Sequence, residues 1–214
     1  MKNIKKSTLT FFGAMLAIYI IVQLLLSLGV LNNFWRGIIF WGAAISIVAL
    51  GLNLIYGFNG QFSLGQYGFY ALGAYAAADV TWRWLNEDPS GIVVGFLGSA
   101  VVLGLYALVA AFLRRFYNVR VTTRFLAYLL TTVLGYGIAV IGLRPLLEPL
   151  LLTVLNALPP AVTQQIVFFL ALVSGAAIAG IASFLFGIPV LSLGSDYFGI
   201  ATLGFTIIVK VLLD

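Results

Sequence analysis

The chain has 214 residues, of which 63% are hydrophobic and only 8% charged, and its mean hydropathy is +1.14. A soluble domain carries roughly 25% charge, so this composition excludes one and describes an all-α, polytopic membrane protein. Cysteine and histidine are both absent, which removes disulfides, thiolate nucleophiles and the usual zinc ligands. The net charge of +5 sits in loop and tail clusters with no soluble domain to present a nucleic-acid surface, so it reads as topology information.

Lys2, Lys5 and Lys6 precede an apolar run from about Thr8 to Leu31. A signal peptide has the same plan, but this run is longer than a signal core and lacks a small-residue cleavage site. The expectation is a retained first helix with its basic end in the cytoplasm. Asn32–Arg36 reads as a turn, and a second apolar segment follows from about Gly37 to Tyr56. Asn53 within it is open to two readings, an interhelical hydrogen bond or a residue facing a translocation path.

The stretch from Gly51 to Tyr75 departs from a plain anchoring helix. Gly57-Phe58-Asn59-Gly60 breaks two apolar segments, and Ser63, Gly65, Gly68 and Gly73 then alternate with aromatics. Hydrocarbon accepts irregular backbone only where protein or a water-filled cavity covers it. Ser63 with the amides of Asn59, Gln61 and Gln66 forms the densest polar patch of the chain. It suits either hydrogen bonding that fixes how the break packs or the lining of a substrate path.

The segment from Gln61 to Ala78 is expected to cross, and Asp79–Ser90 to form an outer loop with Trp82 and Trp84 near headgroup level. Gly91–Leu113 reads as the cleanest span, with Gly91, Gly95, Gly98 and Gly104 inviting close packing. Arg114, Arg115, Arg120 and Arg124 follow without an acidic offset, and the positive-inside rule makes this loop cytoplasmic. Counting from a cytoplasmic N-terminus, a Gln61 segment that crosses puts both basic clusters on one side, whereas a re-entrant hairpin would not.

Phe125–Leu143 is expected as the fifth span. Arg144–Pro160 then reads as an outer-face excursion containing a short interfacial helix, with Arg144 and Glu148 paired if Pro145 occupies the first turn. Ala161–Phe186 returns as the sixth span, Gly187–Gly199 is a connector, and Ile200–Leu213 begins a further apolar element shorter than the roughly 20 residues a crossing needs. The expected architecture is therefore a transmembrane bundle of about six complete spans plus a partial C-terminal one.

Chemistry narrows the function classes. The sequence holds no phosphate-binding loop, and Asp79, Glu87, Asp88, Glu148, Asp196 and Asp214 all fall in loops or at chain ends. Intramembrane acids usually carry proton or ion coupling, so their absence from the spans points to a transport protein energised by a partner. No catalytic residue, metal ligand or cofactor is expected.

Gly51-Leu52-Asn53-Leu54, followed by Gly57-Phe58-Asn59-Gly60-Gln61-Phe62-Ser63-Leu64-Gly65-Gln66 and the run through Gly68 to Tyr75, resembles the signature of the branched-chain amino acid permease family of ABC importers. Gly194 to Phe205, with Asp196, Tyr197, Thr202 and Gly204, is similar to the later block of that family's LivM-like subunit. Gln66 stands where the family commonly has histidine, and no arginine occurs near the start of the second block. The resemblance implies one transmembrane permease domain over residues 1–214, shorter at the C-terminus than family members usually are. It also implies alternating access driven by two cytoplasmic ATPases, a sister permease and an external solute-binding protein delivering leucine, isoleucine, valine or a related small polar solute. The alternative class is a self-contained secondary transporter or channel, which would need an ion-coupling site of its own.

Overall fold

The computed structural model describes residues 2–58, 60–115 and 120–213. Among them every regular element is helical: α1 (Lys2–Ser27), α2 (Asn33–Asn53), α3 (Gln66–Leu85), α4 (Ser99–Leu113), α5 (Val121–Ile138), α6 (Arg144–Asn156), α7 (Pro160–Val190) and α8 (Ser195–Leu213). Wider π-helical turns occupy Leu54–Phe58, Ile92–Gly98 and Ala139–Leu143. Among the described residues five stretches are long and apolar enough to cross a membrane, namely Thr10–Ser27, Asn33–Phe58, Ile92–Leu113, Val121–Asn156 and Pro160–Val190. The chain is thus an all-α, polytopic membrane helix bundle. Two elements that the sequence reading counted toward its spans stand outside these five. Helix α3 has 20 residues but carries Asp79 and Arg83, and the apolar part of α8, Tyr197–Leu213, is shorter than a full crossing.

The chain divides into two compact units, Met1–Gly51 and Leu52–Asp214. In the first, the turn expected at Asn32–Arg36 is shorter than its composition suggests. Asn32 caps α2 by accepting the Trp35 N–H at 3.1 Å, so the helix is already under way at Asn33. An N-terminal Asn satisfies a first-turn donor that the helix cannot.

The second unit is built on α7, which packs against α3, α5 and the π-helical turn before α4. Helix α3 runs antiparallel to it: Phe69 lies against Phe186, Gly73 against Gly175, and Val80 clusters with Val167 and Ala171. Small residues set this crossing. A Cβ on Gly175 would overlap the Gly73 carbonyl, and one on Gly73 would lie 3.2 Å from the Gly175 carbonyl. Gly73 and Ala77 on α3 face Gly175 and Ala179 on α7, each pair one helical turn apart, so the two backbones meet almost directly. Of the glycines expected to pack in Gly91–Leu113, Gly91, Gly95 and Gly98 approach Val80, Ser174 and Ala139 respectively, whereas Gly104 faces open space.

Several boundaries differ from the sequence reading. Helix α3 runs on to Leu85, so Asp79, expected in the outer loop, is helical, and Glu148, also expected outside the helices that span, lies on α6. Helical backbone continues from Val121 through Asn156, so the short helix expected within Arg144–Pro160 is continuous with α5 rather than separated from it by a break. Pro145 sits in the first turn of α6 and cannot bond the carbonyl four residues earlier, and the π-helical turn at Ala139–Leu143 widens the ladder where that bond is missing. The connector expected at Gly187–Gly199 also shrinks. Helix α7 extends to Val190 despite Pro189, because one proline removes one bond and the Leu191 N–H still reaches the Gly187 carbonyl at 2.9 Å.

Candidate functional site

The break after Phe58 ends helical structure at Gly60, whose φ of +69° is the left-handed conformation that glycine adopts without a Cβ penalty. Its N–H closes the last turn on the Tyr56 carbonyl at 3.1 Å. Backbone from Gly60 to Gly65 is then non-helical and must find partners elsewhere. Helix α8 supplies them. The Leu64 N–H donates to Thr202 Oγ1 at 3.0 Å, and the Leu64 carbonyl accepts from Thr206 Oγ1 at 2.8 Å. Thr202 in turn donates to the Gly199 carbonyl at 3.0 Å, and the Gly65 N–H reaches Ser63 Oγ at 3.3 Å.

Glycine makes that approach possible. A Cβ on Gly65 would lie 3.2 Å from Thr202 Cβ, and one on Gly68 would lie 3.1 Å from the Phe205 ring and 3.2 Å from Thr206 Cα. Phe69, Phe186 and Phe205 stack just beyond, with ring centroids 4.5 Å apart for Phe69 and Phe205 and 4.4 Å for Phe186 and Phe205. Beside this junction lies a cavity of 310 Å³ lined by Gln61, Ser63, Phe69, Phe184, Phe198 and Thr202, among others. Ser63 and Thr202 are both buried, so the polar edge of the cavity is built from groups already engaged in holding the break.

The opposite end of the α3–α7 pair carries charge. Arg83 Nε donates to Asp79 at 2.8 Å, while its Nη1 donates to Asp88 at 3.3 Å and Ser90 Oγ at 3.4 Å. On α6, Arg144 Nε meets Glu148 at 3.3 Å, the i,i+4 pair expected from the sequence. Burial pushes the Asp88 carboxyl up, but hydrogen bonds from the Ser90 side chain and backbone and from Arg83 outweigh it and hold the pKa at about 2. A second cavity of 270 Å³ opens here, with Asp79, Arg83 and Arg144 over an apolar wall of Val80, Val94 and Ile178. The loop at residues 86–91 and the start of α6 therefore lie together, as two segments expected on one membrane face should.

The remaining candidates divide clearly. Asn53 ends the regular part of α2, and its Oδ1 lies 2.6 Å from the position of a Cβ on Gly57, a local packing contact. Gln66 opens α3. Asn59 lies outside the described residues, as does the side chain of Asp196. Tyr197 is exposed, and a Cβ on Gly204 would meet nothing within 4 Å, so neither belongs to the junction. Sequence reasoning missed Thr206. Its spacing of four from Thr202 was the available signal, since it puts both hydroxyls on one face of a helix. Among the described residues no group of three or more acidic side chains could hold a metal ion.

Comparison with curated proteins and with solved structures returns no match. The family described as "Branched-chain amino acid transport system / permease component" matches residues 35–147, more than half of the chain. That range contains the break and α3 but not the second block on α8. With five long apolar helices, the match describes a multi-pass protein of a prokaryotic plasma membrane. The chain belongs to the branched-chain amino acid transport system permease family.

Proposed function

We propose that this chain is a LivM-like permease subunit of an ABC importer for branched-chain amino acids or related small polar solutes, and that residues 1–214 act as one permease domain. Its partners are a second permease subunit, two cytoplasmic ATPases that supply the energy, and an extracytoplasmic solute-binding protein. The N-terminus is cytoplasmic, and α3 and α8 add one complete and one partial crossing to the five long apolar helices.

The observation that carries this reading is the junction between the two family-like blocks. Residues about 140 apart in sequence meet at Leu64, Thr202 and Thr206, and a largely apolar cavity with a polar edge lies beside them. Irregular backbone held by protein groups next to a cavity is how transporters accommodate a binding path inside a bilayer. The two cavities along α3 and α7, separated by the Gly73–Gly175 contact, supply the inner and outer chambers of an alternating-access cycle. Gln61, Ser63 and Thr202 line the inner one.

Co-purification from the native host tests the reading. A tagged chain extracted in mild detergent should bring down an ATPase and a second permease, and the complex in vesicles should take up radiolabelled leucine, isoleucine or valine in an ATP-dependent manner. Uptake by the chain alone, driven by an ion gradient and indifferent to ATP, would establish the secondary transporter instead.

A further inference from the structure

The largest of the cavities described shares Phe184 and Ile188 with the inner chamber but carries its charged groups between α4 and α5. It has a volume of 580 Å³, is open on one side, and is bordered by the C-terminal end of α4, the N-terminal end of α5 and the C-terminal part of α7. Arg114 and Arg124 line it together with Leu113, Val121, Phe184 and Ile188. Tyr128 and Phe184 meet edge to face at 5.0 Å and form part of its apolar wall. The ion pairs found among the described residues engage Arg83 and Arg144 only. Two guanidinium groups, one just past the end of α4 and one on α5, thus share a cavity with no carboxylate bonded to either among the described residues.

We propose that this cavity binds an anionic phospholipid, with the phosphate between Arg114 and Arg124 and the upper acyl chains against Val121, Phe184 and Ile188. The chemistry is specific on both sides. A planar guanidinium matches phosphate oxygens in a two-point fashion, and a basic pocket between helix ends at the cytoplasmic face is suited to an anionic headgroup. A free phosphate would use the arginines and leave the apolar wall bare, whereas a phospholipid covers both. Helix α5 begins without a side-chain cap, so its first-turn N–H groups add to the positive potential at the same end. The inference does not depend on what the protein transports.

The test uses the purified full-length chain in neutral detergent, with phosphatidylglycerol as probe and phosphatidylcholine and inorganic phosphate as comparison arms. Retained lipid is read by native mass spectrometry. The wild type should prefer phosphatidylglycerol, and Arg114→Gln with Arg124→Gln should weaken that binding by about 25-fold, two basic contacts at roughly a factor of five each. Arg115→Gln with Arg120→Gln removes the same charge from the same loop without touching the cavity lining, and should leave binding within about twofold of wild type. Val121→Trp keeps both arginines, fills the apolar wall and should also weaken binding, which keeps the test decisive if the double arginine variant folds poorly. Equal losses in the two arginine pairs would overturn the proposal in favour of diffuse charge attraction. Competition by millimolar phosphate would overturn it in favour of a free-anion site. Absence of any preference for phosphatidylglycerol, with both arginines shielded from a guanidine-modifying reagent only in the assembled complex, would overturn it in favour of an acidic protein segment.

Discussion

Replacing Gly175 with alanine places a methyl group onto the Gly73 carbonyl, with Ala77 Cβ of the same facing helix only 3.1 Å away. Neither obstacle is the end of a flexible side chain, so relief requires α3 to move off α7 by about 1 Å. A gap of 0.5–1 Å forfeits about a quarter to a half of the dispersion energy of each contact that opens, and forced overpacking of this kind costs about 1–3 kcal/mol. Alanine recovers up to about 1 kcal/mol through helix propensity, which leaves a net loss of about 0–2 kcal/mol, or about 1–3 kcal/mol against a glycine-to-alanine change that gains propensity alone. Gly180→Ala on the same helix is the matched control, because nothing lies within 4 Å of its added methyl. Unfolding by a denaturing detergent in mixed micelles, followed by tryptophan fluorescence, measures the difference. If Gly175→Ala proves as stable as Gly180→Ala, the close backbone crossing of α3 and α7 is not what sets their separation.

Three further outcomes follow from the junction and the charge cluster. Thr202→Val keeps the side-chain shape but leaves the Leu64 N–H without its acceptor, so stability should fall by about 1–3 kcal/mol, and Thr202→Ser should restore most of it in the same unfolding assay. Leucine at Gly68, or at Gly65, must displace Phe205 or Thr202 and should lower subunit recovery or uptake in the assembled transporter; normal values for both would contradict the packing argument. The Asp88 carboxyl is held below its ordinary value of 3.8, so its ionised form contributes stability that is fully present above about pH 5 and is lost as pH falls through 3.8 towards 2. The stability difference between wild type and Asp88→Asn should therefore be flat from pH 5 to 8 and shrink below pH 4, and a difference that grows on acidification would reverse the sign assigned to the pair.

Much of the candidate site was legible in the residues because bilayer chemistry restricts where polar and glycine-rich backbone is tolerated. Gly57–Gly68 stood out as broken and polar, and within it Gly60–Gly65 leaves helical structure and is caught by α8. The Arg144–Glu148 pair was legible too, since i,i+4 spacing fixes its geometry locally. Tyr197 and Gly204 sit in the same similar block as Thr202, yet only Thr202 reaches the break. Block membership does not encode which face of α8 meets α3.

What the sequence by itself determined is the class of molecule and its covering rules. A chain that is 63% hydrophobic and 8% charged has to place helices in a membrane, and the Arg114–Arg124 cluster has to stay out of it. Tertiary structure alone decided the pairings. That Gly73 meets Gly175, that Leu64 is bonded at both ends by threonines of α8, and that Arg83 gathers Asp79, Asp88 and Ser90 depend on partners distant in the chain. It also decided where helices stop, carrying α7 past Gly187 and Pro189 and joining α5 to α6 through a π-helical turn. The physical reason is common to these cases. Composition and periodicity report what a residue's surroundings must be like, while the identity of those surroundings is settled by packing between segments whose separation in sequence carries no local signal.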